Sequence, residues 1–303
     1  MLAAAQDRGP GDRKGTYDEP DAKGPRMNPK RLNEPLRDLA AWTAYFHRAE
    51  IPVLARTAAA IEGLRENEDA VDANLVGESV AHDPLMTLRV LRHASAHRPA
   101  RMLTDPETVT AAVVMMGIGP FFRAFGPLPT VEERLADLPA ALQGLHDVLR
   151  RAYRAANFAL GFAVHRMDTD AAVIHHAALL HDFAEMLLWC HAPALSMDLV
   201  ARQRADPTLR SSAAQKQLLH VTLGDLQQSL MRAWRLPDLL KRITDDRHAA
   251  HPSTRNVVLA IRLARHTEHG WDNPAVPDDV RDIADLLNLS PTATQRMVLQ
   301  LDG

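Results

Sequence analysis

The chain has 303 residues, 46% apolar and 24% charged, enough to bury a core in one large domain or two small ones. With 35 Lys and Arg against 38 Asp and Glu, the formal charge of -3 supplies no global field to gather nucleic acid or anionic lipid. A single cysteine, Cys190, excludes an internal disulfide framework and a thiolate metal cluster, and it suits a reducing compartment.

The opening MLAAAQDRGPGDRKG turns polar too early for a secretory signal, and no later apolar run reaches membrane-spanning length. The expected location is therefore the cytoplasm. Residues 1–33 are rich in Gly, Pro and both signs of charge, with almost nothing apolar to bury, and read as a disordered leader. Beyond them, a capping residue followed by Pro recurs, the arrangement that starts helices because Pro at the first helical position loses no needed hydrogen bond. His82-Asp83-Pro84 opens LMTLRVLRHASA, Thr104-Asp105-Pro106 opens ETVTAAVVMMG with Gly117 as its stop, and Ser290-Pro291 opens TATQRMVLQL.

Between these points GIGPFFRAFGPLP, with its Gly and Pro breakers around aromatics, separates an N-terminal helical half from a C-terminal one. Leu149, Ala152, Ala156, Ala159 and Ala163 then share a helical stripe, as do Leu223, Leu226, Leu230 and Trp234, and as do Val257, Ile261 and Ala264. Alternating strand patterns are absent, and the Ala- and Leu-rich segments favour helix over sheet. The expected fold is all-α, a multi-helix bundle.

The chemistry-bearing stretch is HHAALLHDFAEMLLW, in which His181 and Asp182 stand together among apolar residues. Imidazole and carboxylate are good ligands for divalent transition metals and could form part of a hydrolytic centre. On one helix, consecutive residues point about 100° apart, and His175 and Asp182, which would share a face, are roughly 10 Å apart along the axis. At least one further ligand must come from elsewhere.

LLHDFAEMLLW resembles the HD helix of the HD superfamily of metal-dependent phosphohydrolases. Its company sharpens the match: IPVLARTAAAI, VAHDPLMTLRVLRHASA, VTAAVVMMGIGPFF, AALLHDFAEMLLW and LGDLQQSLMRAWRLPDLL follow in order. That succession resembles the HD-related output domain, HDOD, a relative of the HD phosphohydrolases found in bacterial signalling proteins, over roughly residues 45 to 245. The resemblance implies a fold of the HD-superfamily type, with residues 34–245 as the HDOD-like domain and 246–303 as a C-terminal helical extension packed on it. It also implies a lost metal set. Arg154, in RRAYRAANFA, falls near the position where an active HD enzyme carries its first histidine, and a guanidinium stays protonated and repels a metal ion.

His146 and His165 lie on the same predicted helix but off that register. Asp225, Asp238, Asp245 and Asp246 are candidates for the distal carboxylate. His181 and Asp182 are accordingly expected to form a residual polar clasp, with no metal, no cofactor and no catalytic residue. His175 and His176 read as a partly exposed surface pair. Trp189, Cys190, Met115 and Met116 read as packing. Where the family usually shows Asn-Ser after LR, this chain has Ser95 and Ala96.

The leading functional expectation is a noncatalytic signalling module that binds a protein partner or a small effector. The alternative is a phosphohydrolase acting on a nucleotide or cyclic dinucleotide. A third class, DNA binding, is suggested by the helix-turn-helix-like DDVRDIADLLNLSPTATQRMV, but its would-be recognition helix carries only Arg296 as a base. Those helices are expected to be a packing element, and no DNA or membrane partner is expected.

Overall fold

A capping oxygen ahead of proline starts helices here largely as the sequence pattern requires. The computed structural model describes residues 31–98, 105–206, 208–248 and 250–302. In its N-terminal part lie α1 (Leu39–Arg48), α2 (Ala55–Arg65), α3 (Ala73–Val80), α4 (Pro84–Ala96), α5 (Val109–Met116), α6 (Ile118–Ala124) and α7 (Val131–Arg134). The long α8 (Pro139–His165) leads to α9 (Ala171–Leu179), α10 (Phe183–His191), α11 (Pro193–Ala205), α12 (Ser211–Leu219), α13 (Leu223–Ala233) and α14 (Asp238–Ile243). The chain closes with α15 (Pro252–His266), α16 (Val276–Leu287) and α17 (Pro291–Asp302). Among the described residues the only β-type pairing is an isolated bridge between Val53 and Thr130, so the fold is all-α. No described helix is long and apolar enough to cross a membrane.

Asp83 does more than cap α4. Its buried carboxylate accepts from the amides of Leu85 and Met86 and, at 2.8 Å, from Leu54 at the entry to α2. Ser290 likewise caps α17 through Ala293. The third expected start shifts: α5 begins at Val109, because the Thr108 hydroxyl accepts from Ala111 while Asp105 is drawn into an ion pair with Arg98. Gly117 stops α5 as expected, at a φ of +85 that side chains disfavour.

The GIGPFFRAFGPLP segment is not a plain interruption. Most of it is α6, whose Phe121 and Phe122, with the following Phe125, are buried in a small N-terminal cluster that also holds Val53, Ile61, Val76, Val80 and Val113. The two halves meet instead along α4. Leu85, Leu88 and Leu91 on one side of it join the main core, and Met86, Val90 and Ala94 on the other join the small cluster. Met115 and Met116 are half-buried at the edge of that cluster.

The main core wraps α8, and its predicted stripe from Leu149 to Ala163 is buried throughout. Two glycines let neighbours approach this helix: a Cβ at Gly144 would collide with the Trp189 ring, and one at Gly161 would collide with Leu301 of α17. Helix α15 lies along α8 and α9, α16 packs on α15, and α17 on α8 and α16. The helix-turn-helix-like segment therefore buries Thr294 and Val298 against the bundle. At the other end, Arg31 forks onto Asp137 at 2.7 and 2.6 Å, and the Leu32 amide donates to the His191 carbonyl. Arg31 and Leu32, inside the expected leader, thus pack on the body; residues 1–30 of that leader lie outside the described residues.

Candidate functional site

His181 and Asp182 do not sit inside one helix. They occupy the break between α9 and α10, where His181 is in the turn and Asp182 holds the position before Phe183. An aspartate there would ordinarily cap the new helix. This one makes no capping bond; its Oδ1 instead accepts from His181 Nδ1 at 2.9 Å and from Arg265 Nη2 of α15 at 2.7 Å. The break also ends the idea of His175 and Asp182 sharing a helix face.

The other nitrogen of His181 reaches Asp246, which begins a short 3-10 turn after α14: Nε2 is 3.0 Å from Asp246 Oδ1. Burial alone would discharge this imidazole, but the hydrogen bonds to Asp182 and Asp246 overcome it and raise its pKa to about 9. His181 is therefore an imidazolium at neutral pH, donating from both nitrogens. Burial opposes ionisation of Asp182 too, yet Arg265 and His181 hold its carboxyl well below the usual range. Its second oxygen, Oδ2, is buried without a hydrogen bond and lies 3.6 Å from Arg151 Nη2.

Arg151 projects from α8 into a cluster of acids. It donates to Glu185 Oε2 at 2.9 Å and sits 3.5 Å from Glu268 Oε2. Despite its own burial it is held firmly charged by Glu185, Asp182 and Glu268, whereas burial pushes the Glu185 carboxyl upward. The pair thus lies in a closed lattice of His181, Arg151 and Arg265 with Asp182, Glu185, Asp246 and Glu268. One face of it opens on a cavity of about 360 Å³ lined also by Gln228 and Thr244. A second space of about 330 Å³, sharing Glu185, Gln215 and Arg265, runs on past Trp189 and Glu268.

Of the other residues singled out in the sequence, Arg154 faces elsewhere. Its guanidinium grips Asp302 at 2.7 and 2.8 Å and Thr267 Oγ1 at 2.9 Å, so it ties α17 and the end of α15 to α8. The arginine beside the His-Asp pair is Arg151, three residues earlier on α8. RRAYR offers three arginines within five residues, and only side-chain direction tells them apart. Among the four distal carboxylate candidates, Asp246 contacts His181, Asp225 and Asp245 line the cavity beside it, and Asp238 pairs with Lys241 at the surface.

His165 is exposed at the end of α8, and His146 lines a different cavity. His175 and His176 are partly exposed. Cys190 is fully buried, and burial pushes its thiol up to about 12. Arg265, Glu268 and Glu185 were not anticipated. The available signal was the interruption of the apolar α15 pattern by Arg262 and Arg265.

Among the described residues, no three His, Cys, Asp or Glu side chains are grouped so as to hold a metal ion.

A helical bundle with a clasped His-Asp pair at a helix break defines the class. The HDOD domain model matches residues 51–250, and the chain belongs to the HDOD family. No curated protein matches it. Its fold is similar to that of the MmoQ response regulator from Methylococcus capsulatus strain Bath, with a TM-score of 0.62 at 17% identity, covering 83% of this chain and 99% of that one. It is also similar to a virulence factor, cj0248, from Campylobacter jejuni subsp. jejuni, with a TM-score of 0.57 at 17% identity over 87% and 98% of the two chains.

Proposed function

We propose that the protein is a noncatalytic signalling module that acts by binding a protein partner or a small effector, and that the His181–Asp182 pair is a relic of a metal centre. The observation that carries this reading is geometric: both ring nitrogens of His181 lie within 3.0 Å of a carboxylate oxygen, one on Asp182 and one on Asp246. A metal ligand must offer a nitrogen lone pair. A ring nitrogen that hydrogen-bonds a carboxylate does so as a donor, so His181 in these contacts offers no lone pair, and Asp182 Oδ1 is already shared with Arg265. Arg151 and Arg265 add fixed positive charge where a cation would sit. The residues do not fit a metal ion, and no reaction step is assigned to one.

What remains is a polar, partly enclosed cleft of the size that small ligands occupy. Membership of the HDOD family supports a signalling role, as does likeness of fold to a protein named a response regulator. Metal content separates this reading from a phosphohydrolase. The purified protein should carry no stoichiometric transition metal and should not hydrolyse bis-p-nitrophenyl phosphate with added manganese. One or more tightly bound metal ions per chain, released by His181→Ala, would overturn the proposal.

A further inference from the structure

A third cavity, sharing no lining residue with the His181 cleft or the space beside it, opens where the start of α2 and the α3–α4 turn meet α7 and α8. Its volume is about 460 Å³. Leu54 and Leu149 give it an apolar floor. Its remaining walls are rich in donors: Arg56, His82, His146, Arg150 and Tyr153.

The carboxylates facing these groups are already engaged. Glu132, the one acid in the lining, accepts from the Ala55 amide at 2.9 Å and so serves the first turn of α2. Asp147 pairs with Arg150 at 2.6 Å, but both side chains are well exposed, and such a pair contributes little and yields to a better acceptor. Arg56 is steadied by a single bond from its Nη2 to the His82 carbonyl, and the His82 ring meets Tyr153 edge-on at 4.7 Å. The wall is therefore set in place while most of its donors remain available.

We propose that this cavity binds a phosphate-bearing small molecule, its anionic group held by Arg56 and Arg150 and its organic body seated on Leu54, Leu149 and Tyr153. A phosphoryl or diphosphoryl group presents three or more acceptor oxygens to Arg56 and Arg150 and to the neighbouring His82 and His146, whereas a carboxylate presents two. Its apolar floor belongs to the main core, so the seat for the organic body is fixed by packing.

The test is calorimetric titration of the full chain with inorganic pyrophosphate, with citrate as the carboxylate probe. Pyrophosphate should bind saturably and one to one, and more tightly than citrate. Arg56→Glu or Arg150→Glu should each weaken binding about 10-fold or more, the loss of one charge-assisted contact. Arg202→Glu, at an exposed position of α11, should leave it unchanged and so exclude a general charge effect. Arg56 and Arg150 sit on different helices, so if one reversal fails to fold the other carries the test. No saturable heat, no effect of either reversal, citrate binding as tightly as pyrophosphate, or loss of binding on Arg265→Gln would overturn the proposal.

Discussion

His181 Nε2 donates to Asp246 Oδ1 across 3.0 Å, joining two residues 65 positions apart. One of them is nearly buried and the other, in a short turn, is 62% exposed. The charge of the buried imidazole thus depends on a surface turn, and a partner or ligand that displaced Asp246 would change it. With its folded pKa near 9 against 6.5 unfolded, His181 binds its proton more tightly in the native state. That stability is complete below about pH 6.5 and is lost as pH rises through 9. Relative to His181→Gln, the wild type should lose roughly 2 to 3 kcal/mol over that window, discounted for the exposure of Asp246. Urea denaturation across the window checks this, and parallel curves for the two proteins would refute the assigned charge state.

Arg151 should be structural in a measurable way. Its removal leaves Asp182, Glu185 and Glu268 facing one another without their shared cation. Arg151→Ala is expected to destabilise by about 3 kcal/mol at neutral pH, the scale for orphaning partly buried charges. Adding Glu185→Gln should restore part of that loss. Arg154→Ala should instead loosen α17, read as faster amide exchange in residues 291–302 with the His181 titration unchanged. If Arg154→Ala shifts that titration and Arg151→Ala does not, the assignment of the two arginines is reversed.

The helical stripes and proline starts were legible because they depend on short-range spacing: Leu149 to Ala163 and Leu223 to Trp234 are buried as their periods require. The His-Asp pair was legible as a pair. Its setting was not, because nothing local in ALLHDFAEM signals a helix break when the breaker is neither Gly nor Pro. Arg265 breaks the apolar pattern of α15, but its partner was not legible: this arginine lies beyond the matched family segment and meets Asp182 only through tertiary packing across 83 residues. Arg154 and Arg151 differ by less than one turn, a distinction that sequence alignment alone does not resolve.

His191 should make the fold acid-sensitive. Fully buried, it is pushed down to about 3 by burial and by Arg134, while its Nε2–H donates to the Glu50 carbonyl at 2.9 Å. A neutral native histidine takes up no proton where the unfolded one does, so stability is present above about pH 6.5 and falls as pH drops toward 3. The slope is about 1.4 kcal/mol for each pH unit and each such histidine. His93, lowered to about 4 by burial, adds to it. His191→Asn should be less stable at neutral pH but flatter between about pH 6 and 4.5. A wild-type stability that stays level over that interval would show that these imidazoles are charged in the native state.

Trp234 tests the architecture of the C-terminal half. It ends the Leu223, Leu226, Leu230 stripe and is only 4% exposed. Its ring lies 5.6 Å from that of Phe183, the first residue of α10, and the Arg92 guanidinium stands 5.1 Å over it. Behind it Arg235 turns left-handed at a φ of +55, Leu236 donates back to Met231, and Pro237 leads into α14, whose end carries the chain to Asp246. Trp234 therefore braces both sides of the clasp: Phe183 adjoins Asp182, and α14 precedes the turn that holds Asp246. Trp234→Ala is expected to destabilise by about 3 to 5 kcal/mol, the range for removing a large buried aromatic. It should also lower the His181 pKa from its raised value, as Asp246 loses its fixed position. Trp234→Phe should keep most of the stability and the raised pKa, since the indole nitrogen makes no hydrogen bond. Full stability in Trp234→Ala, measured by urea denaturation, would mean that the indole is an interface anchor and that the stripe ends at Leu230.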